Sequence, residues 1–304
     1  MLNFNLSSLT SWRYAGLGIS ALLTLMAFWM LWRHGLHLGL DFTGGVLLEL
    51  QIQTLKDASE LNAMLPASMQ SWLTLQSAGS SGEWLIKLAP EVLTMPASEL
   101  AQQLSGYLQV PVVLTRSTMV GPQVGEELFQ QGMLALLVAS LAISAYLALR
   151  FEWRQAVGVL LSVLHDAVLA LGMLAWLHIE FDLNVLAGLM AVIGYSLNDS
   201  IVISDRLRDL LQAKVTSNIH DCSDRAISAT FSRTLITSGT TLFTVGALLL
   251  FGGAALYGFS FTLFVGILVG TVSSITIAST VQELLGLSTA AYEKAPEPEW
   301  LSTP

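Results

Sequence analysis

Ionisable side chains inside long apolar segments are the residues best placed to do chemistry in this chain of 304 residues. Asp166 and Asp199 each lie within an otherwise nearly uncharged stretch, and Arg233 begins another. A charge at the centre of a bilayer costs at least about 2.5–3.5 kcal/mol, so such groups usually line a functional path. We therefore take Asp166, Asp199 and Arg233 as candidates for moving a proton.

Asp199 and Arg233 have the spacing of a proton switch. Asp199 is expected about 9 Å inside the basic end of its span, and Arg233 begins the next span on the same side. If those antiparallel helices pack together, the two side chains can meet at similar depth. An aspartate beside an arginine stays ionised, whereas one that loses this contact in a low-dielectric interior favours the neutral form.

Structural interpretations of the same residues stay open. Arg233 also fits a side chain that reaches back to the membrane surface as an anchor. Asp199 also fits a hydrogen bond to a neighbouring helix, because Ser196, Asn198 and Ser200 make that part of its helix polar.

Two kinds of site are not expected in the apolar segments. Adjacent helical residues such as His165 and Asp166 point in different directions, and no other His, Cys or Glu lies in a predicted span. The sequence therefore predicts no metal or cofactor site. An intramembrane protease is also not expected, because no Gly-x-Gly-Asp stretch surrounds Asp199 and no Gly-x-Ser-x-Gly elbow occurs, so we predict that the chain is not an enzyme.

Composition indicates the elements that must position these residues. Hydrophobic residues make up 53% of the chain and charged residues 12%, with a mean hydropathy of +0.64. Soluble domains carry about 25% charged residues, so most of this chain is built for a lipid bilayer. A net charge of −9 with only 13 lysines and arginines argues against nucleic acid as a partner.

Six segments are long and apolar enough to cross a bilayer as helices. They are residues 14–32, 128–149, 155–176, 183–204 and two spans within 234–282 that join at 252–255. The first is longer than a signal-peptide core and ends without a small-residue cleavage site, so it is expected to be retained. Gly266 and Gly270 form a Gly-x-x-x-Gly packing pattern in the last span.

The basic residues predict the orientation of the spans, because cytoplasmic loops carry an excess of Lys and Arg. With a cytoplasmic N-terminus, the two short outer loops at 177–182 and 252–255 hold no basic residue. The cytoplasmic segments then hold Arg13, Arg150, Arg154, Arg206, Arg208, Lys214, Arg225, Arg233 and Lys294. Both termini are therefore expected in the cytoplasm.

The long outer segment between the first two spans is predicted to fold as an α+β domain. Strands are expected at 46–52, 72–76, 84–88 and 110–115, and helices at 56–64 and 96–107, with a glycine and serine turn at 78–82. The order β-α-β-β-α-β is typical of a ferredoxin-like sandwich. We divide the chain into 1–33 with the first span, 34–127 as the outer domain, 128–285 with the other spans, and a disordered tail at 286–304.

Five short motifs are spread along the chain. Residues 39–45 read Gly-Leu-Asp-Phe-Thr-Gly-Gly, and residues 120–125 read Val-Gly-Pro-Gln-Val-Gly. The pair His165-Asp166 and the stretches 193–206 and 233–241 follow. In this order the motifs resemble those of the SecD/SecF family, which assists the bacterial Sec translocon, and the resemblance covers nearly the whole chain. It implies one six-span half of the RND type, with the ferredoxin-like domain in the periplasm.

The resemblance also implies a function. Asp199 and Arg233 fall on the membrane Asp and Arg that the family ties to proton flow. Implied partners are SecD, the SecYEG translocon, YajC, preprotein substrates and the lipid bilayer of the bacterial inner membrane. SecD is further expected because an isolated half would leave polar groups such as His165 and Asn198 facing lipid.

Two rival functions remain beside this one. One is an RND-type exporter half for lipids or small molecules, although such exporters are expected to carry both halves in one chain. The other is a static scaffold whose outer domain only docks partners.

Overall fold

The computed structural model describes residues 6–52, 66, 73–77, 82–88, 97–108, 110–216 and 218–292. Before the second long helix the elements are α1 (Leu6–His34), α2 (Leu40–Thr43), β1 (Gly45–Gln51), β2 (Leu73–Ser77), β3 (Glu83–Leu88), α3 (Ala97–Leu108) and β4 (Val113–Val120). After them come α4 (Pro122–Arg150), α5 (Trp153–Leu177), α6 (Leu183–Gln212), α7 (Ile219–Phe251), α8 (Gly253–Ser273), a π-helical turn (Ser274–Ala278), α9 (Ser279–Leu284) and a 3₁₀ turn (Thr289–Tyr292).

Six of these helical segments are long and apolar enough to cross a membrane, which confirms the predicted number of spans. The sixth runs from Gly253 to Leu284 through α8, the π-helical turn and α9. Helices α6 and α7 are longer than the predicted spans because they continue through charged residues, such as Arg206 and Asp224, which a hydropathy criterion leaves out. Asp182 accepts a hydrogen bond from the backbone N of Val185 at the start of α6, and Asn218 accepts one from His220 at the start of α7.

The bundle has α5, α6 and α8 at its centre, while α1, α4 and α7 expose most of their length. Glycine allows the central helices to approach closely, as the Gly-x-x-x-Gly pattern predicts. A Cβ atom at Gly266 would lie 2.2 Å from Cγ2 of Val192 on α6, and one at Gly270 would lie 3.2 Å from Cβ of Ser196. The candidate carboxylates are therefore held by the most tightly packed helices.

The inserted domain contains a four-stranded antiparallel sheet in the order β2-β3-β1-β4, which is the ferredoxin-like order. Its core includes Leu48 and Leu50 from β1, Ile86 from β3 and Leu104 from α3. The predicted helix at 56–64, most of the turn at 78–82 and the end of the tail from residue 293 onward lie outside the described residues.

The last predicted strand, 110–115, was placed too early. β4 occupies Val113–Val120 and pairs with β1 as far as Gly45↔Val120. Arg116 and the largely exposed side chains of β4 gave no alternating apolar pattern, so the sequence signal ended before the strand did.

Two motif glycines join the sheet domain to the bundle. Gly44 has φ 74°, and a Cβ atom there would lie 2.8 Å from Cα of Pro122 at the start of α4. A Cβ atom at Gly125 would lie 2.8 Å from the carbonyl O of Phe42. The short helix α2 thus rests directly on α4, and no flexible linker separates β4 from the second span.

Candidate proton site in the membrane bundle

Asp199 lies on α6 with 4% of its surface exposed. Its Oδ2 accepts a hydrogen bond from Oγ of Ser238 on α7, at 3.1 Å. The hydroxyls of Ser200 on α6 and Thr234 on α7 are also buried, and neither has a hydrogen-bond partner in the described part of the chain. Asp199 therefore occupies a polar pocket between two spans.

Arg233 does not meet Asp199, although both helices pack as expected. Its side chain is exposed, and across residues 110–216 and 218–292 no ion pair joins the two groups. Thr234 and Ser238, four residues apart, are both buried and form the inward face of α7. Arg233 precedes Thr234 and so lies about 100° away around the helix. The predicted direct contact is absent from this conformation, and the role of Arg233 stays a prediction.

Asp166 on α5 is fully buried and has hydroxyl partners from two other helices. Its Oδ2 accepts hydrogen bonds from Ser196 on α6 and from Ser273 on α8, the latter at 2.8 Å. Ser162 donates in turn to the Ser273 hydroxyl at 3.0 Å. This network joins the three central helices.

The expectation that His165 and Asp166 point apart was wrong. Nδ1 of His165 lies 3.0 Å from Oδ1 of Asp166, because the side-chain torsions turn the two groups toward each other despite their different directions on the helix. Of the polar groups expected to face lipid without a partner, Asn198 is exposed, whereas this chain by itself buries His165, Asp166 and Asp199. In the described parts of the chain no group of side chains is arranged to hold a metal ion.

Hydroxyl partners suit a carboxyl group that changes protonation state. A serine hydroxyl can donate to a carboxylate or accept from a carboxylic acid, so the hydrogen bonds survive in either state. Ser196 and Asp199 are three residues apart on α6, which places the two carboxyl sites on adjacent turns. The arrangement can hold a proton at either carboxyl group inside the bundle.

Sequence reasoning missed Ser162, Ser238, Ser273 and the π-helical turn that follows Ser273. Such turns are frequent at functional sites. Ser238 lay within the motif at 233–241, whereas the signal for Ser162 and Ser273 was the polar content of apolar stretches, such as Thr271 to Ser274, which hydropathy averages away.

Two models of one protein family match this chain. A family described as "Protein export membrane protein SecD/SecF, C-terminal" matches residues 101–287, and "SecD/SecF GG Motif" matches residues 29–54. The chain belongs to the SecD/SecF family. The first match contains Asp166, Asp199 and Arg233, and the second contains the Gly44-Gly45 pair that joins the domain to the bundle.

Members of the SecD/SecF family are similar to the chain over most of its length. The protein translocase subunit SecF of Escherichia coli O157:H7 is 40% identical, with 91% of this chain and 87% of that protein covered. SecF of Pseudomonas aeruginosa is 39% identical, with 91% and 90% covered.

A solved structure of the family shares the fold. The crystal structure of SecDF from Thermus thermophilus, a translocon-associated membrane protein, matches with a TM-score of 0.80 at 32% identity. The match covers 93% of this chain and 38% of the SecDF chain. The super-membrane-facing form of SecDF matches with a TM-score of 0.68.

Proposed function

We propose that the chain is an auxiliary subunit of the Sec protein translocase. With SecD, it couples inward proton movement to late-stage preprotein translocation across the bacterial inner membrane. Membership of the SecD/SecF family supports this role, as do the names of the relatives. The observation that carries the proton step is the pair of buried carboxyl groups, Asp166 and Asp199, with hydroxyl partners inside the bundle. The role requires no enzymatic activity of the chain.

In the proposed relay, Asp199 gains and loses the proton, Arg233 controls its charge, and Asp166 is the second carrier. Ser238 can hold Asp199 in either protonation state. A movement of α7 that brings the Arg233 guanidinium to the Asp199 carboxyl would favour the ionised form, and the reverse movement would favour proton uptake. The proposal therefore requires α7 to move against α6.

The proposed partners follow from the same assignment. The chain covers 38% of the SecDF chain, which leaves room there for a second half, and SecD supplies that half in our proposal. SecYEG and preproteins are further proposed partners, as is YajC. Basic residues are in excess where α4 ends and α5 begins and where α6 ends and α7 begins, which supports cytoplasmic termini. In the proposed division, residues 1–33 hold the first span, 34–127 form the periplasmic domain, 128–285 hold the other spans, and 286–304 form the tail.

Asp199→Asn tests the function, because asparagine keeps the size and the bond to Ser238 but cannot ionise. We expect proton-gradient-dependent export in inner-membrane vesicles to be lost, while the abundance of the chain and its co-purification with SecD remain normal. If Asp199 has only a structural role, the asparagine keeps the hydrogen bond to Ser238, and both abundance and export should stay at the wild-type level.

Asp209→Asn is the matched control. It makes the same substitution on the same helix, at an exposed residue outside the motif stretches, and should leave export unchanged. Full proton-dependent export by Asp199→Asn would refute the relay, and failure to recover SecD with the wild-type chain would refute the assignment to the translocase.

A further inference from the structure

A second group of charged residues is buried where α1 meets α7 and α9. Arg13 on α1 is 1% exposed, and its Nε donates to Oδ1 of Asp224 at 2.8 Å. Its Nη1 donates to Oε1 of Glu283, also at 2.8 Å. Nδ1 of His220 lies 2.7 Å from the other carboxylate oxygen of Glu283. We call Arg13, Asp224, Glu283 and His220 the α1 cluster.

The α1 cluster is the polar attachment of α1 to the bundle. Thr10 donates a side-chain hydrogen bond to Asp224, and Tyr14 donates one to Glu283. Away from the cluster, α1 contacts the bundle through small residues, with Ala27 close to Gly172. Since most of α1 is exposed, the cluster has a large share in holding its first turns in place.

The charges of the α1 cluster balance only when His220 carries a proton. Asp224 and Glu283 contribute two negative charges and Arg13 contributes one positive charge, all at side chains that are at most 3% exposed. With neutral His220 the cluster therefore keeps one uncompensated negative charge, which is costly in a buried site. A protonated His220 brings the total to zero.

His220 is the member of the cluster that can exchange a proton with water, because its side chain is 44% exposed. Loss of the proton from Nε2 would leave the Nδ1 hydrogen bond to Glu283 in place and remove only the positive charge. Among the residues that the structure describes, the titratable and charged groups around His220 are Arg13 and Tyr14 on α1, Glu283 on α9, and Asp221, Asp224 and Arg225 on α7 itself. Asp221 and Arg225 pair with each other, so the balance depends on the cluster.

We propose that His220 is a proton-binding residue that sets how tightly the first turns of α1 are held against α7 and α9. Protonation makes the α1 cluster neutral and holds the first turns of α1 more tightly against α7 and α9. Deprotonation leaves a buried negative charge and loosens α1, so the attachment weakens as pH rises on the side of the membrane where α1 begins. The α1 cluster shares no residue with the proposed relay of Asp166, Asp199 and Arg233, and the inference does not depend on that relay.

Hydrogen exchange of the backbone amides in the first turns of α1 tests the proposal. The full chain in lipid nanodiscs is measured from about pH 5 to about pH 8, where imidazole changes charge, and exchange is corrected for its intrinsic pH dependence. We expect the corrected exchange to rise about threefold to fivefold with pH, the range that a half-exposed ion pair gives. Exchange in α5 should stay constant and serves as the internal reference.

Two variants of His220 separate charge from packing. In the His220→Gln variant, the backbone amides in the first turns of α1 should exchange rapidly at both ends of the pH range. In His220→Arg, where the side chain is charged throughout, the same amides should stay protected at both ends. His34→Gln is the matched control, because it removes an imidazole from the opposite end of α1 and should keep the wild-type profile. A flat profile in the wild-type chain, or an unchanged pH dependence in His220→Gln, would overturn the proposal.

Discussion

Buried carboxyl groups in this bundle fall into two kinds according to the side chains that hold them. Serine hydroxyls hold Asp166 and Asp199, and a hydroxyl can bond to either protonation state. Asp224 and Glu283 also accept from the hydroxyls of Thr10 and Tyr14, but both pair with the guanidinium of Arg13, which only donates. We propose that the first kind exchanges protons and that the second kind holds α1 against the bundle.

Asp166→Asn separates a proton carrier from a structural acceptor. Asparagine still accepts through one oxygen, and the hydroxyls of Ser196 and Ser273 can turn to accept from its amide, so the chain should keep normal abundance. If Asp166 carries protons, export driven by the proton gradient should fall by on the order of tenfold or more, as for loss of a proton-transfer group. Asp166→Leu is the comparison, because it removes the carboxyl group that accepts from Ser196 and Ser273 and should lower abundance instead. Wild-type export by Asp166→Asn would assign a structural role.

The elements at the outer end of the bundle are joined by backbone as well as by side chains. The backbone N of Gly39 donates to the carbonyl O of Phe181 at 2.8 Å, and the N of Phe181 donates to the carbonyl O of His37 at 2.7 Å. An ion pair joins Lys87 of β3 to Glu180 in the α5–α6 loop. The loop between the central spans is thereby connected to the sheet domain by an ion pair, and by backbone hydrogen bonds to the segment that precedes this domain.

Asp182 makes this junction sensitive to pH. Burial raises the pKa of its carboxyl group and repulsion from Asp41 adds to the effect, while the hydrogen bond from Val185 lowers it. A carboxyl group with a raised pKa binds more protons in the folded state, so stability rises as pH falls through the region just above the usual pKa of about 4. Asp182→Asn keeps the cap and removes the charge. At neutral pH the free energy of unfolding of the variant should be about 0.5 kcal/mol or more above that of the wild type. The variant should also lack the rise in stability that the wild type shows as the pH falls. Thermal unfolding in detergent at a series of pH values measures both effects. A lower unfolding midpoint at neutral pH would contradict this expectation.

The membrane bundle buries polar side chains among apolar ones, exposes an apolar outer surface and has an uneven distribution of basic residues. Most of α1, α4 and α7 is exposed, and these helices offer the surface for lipid or for a partner half. The basic residues between α4 and α5 and between α6 and α7 lie at the same end of the bundle, because consecutive spans alternate in direction. Our proposed orientation has this end in the cytoplasm.

Cysteine labelling tests the orientation, although Cys222 cannot serve as the probe because it is fully buried and would stay unlabelled from either side. In a Cys222→Ser background, Val215→Cys should react with an impermeant thiol reagent in inverted vesicles but not in intact spheroplasts. Ala255→Cys, at the opposite end, should show the reverse pattern. Both positions are exposed, so labelling of Val215→Cys from outside the spheroplast would refute the orientation.

The sequence by itself determined the number of spans, the inserted sheet and the residues worth attention, because hydropathy, alternation and buried charge are local signals. It identified Asp166 and Asp199 but not the hydroxyls that hold them, since Ser196, Ser238 and Ser273 come from other helices. It placed Arg233 beside Asp199 from depth alone, and the rotation of α7 decided otherwise. Arg13 had the sequence context of a surface anchor, and only the packing of α1 on α7 and α9 made it the centre of a buried ion cluster. The depth of a residue in the membrane and the polarity of its neighbours are properties of one segment. The side chains that it contacts depend on the relative rotation of two helices, which only the packed structure determines.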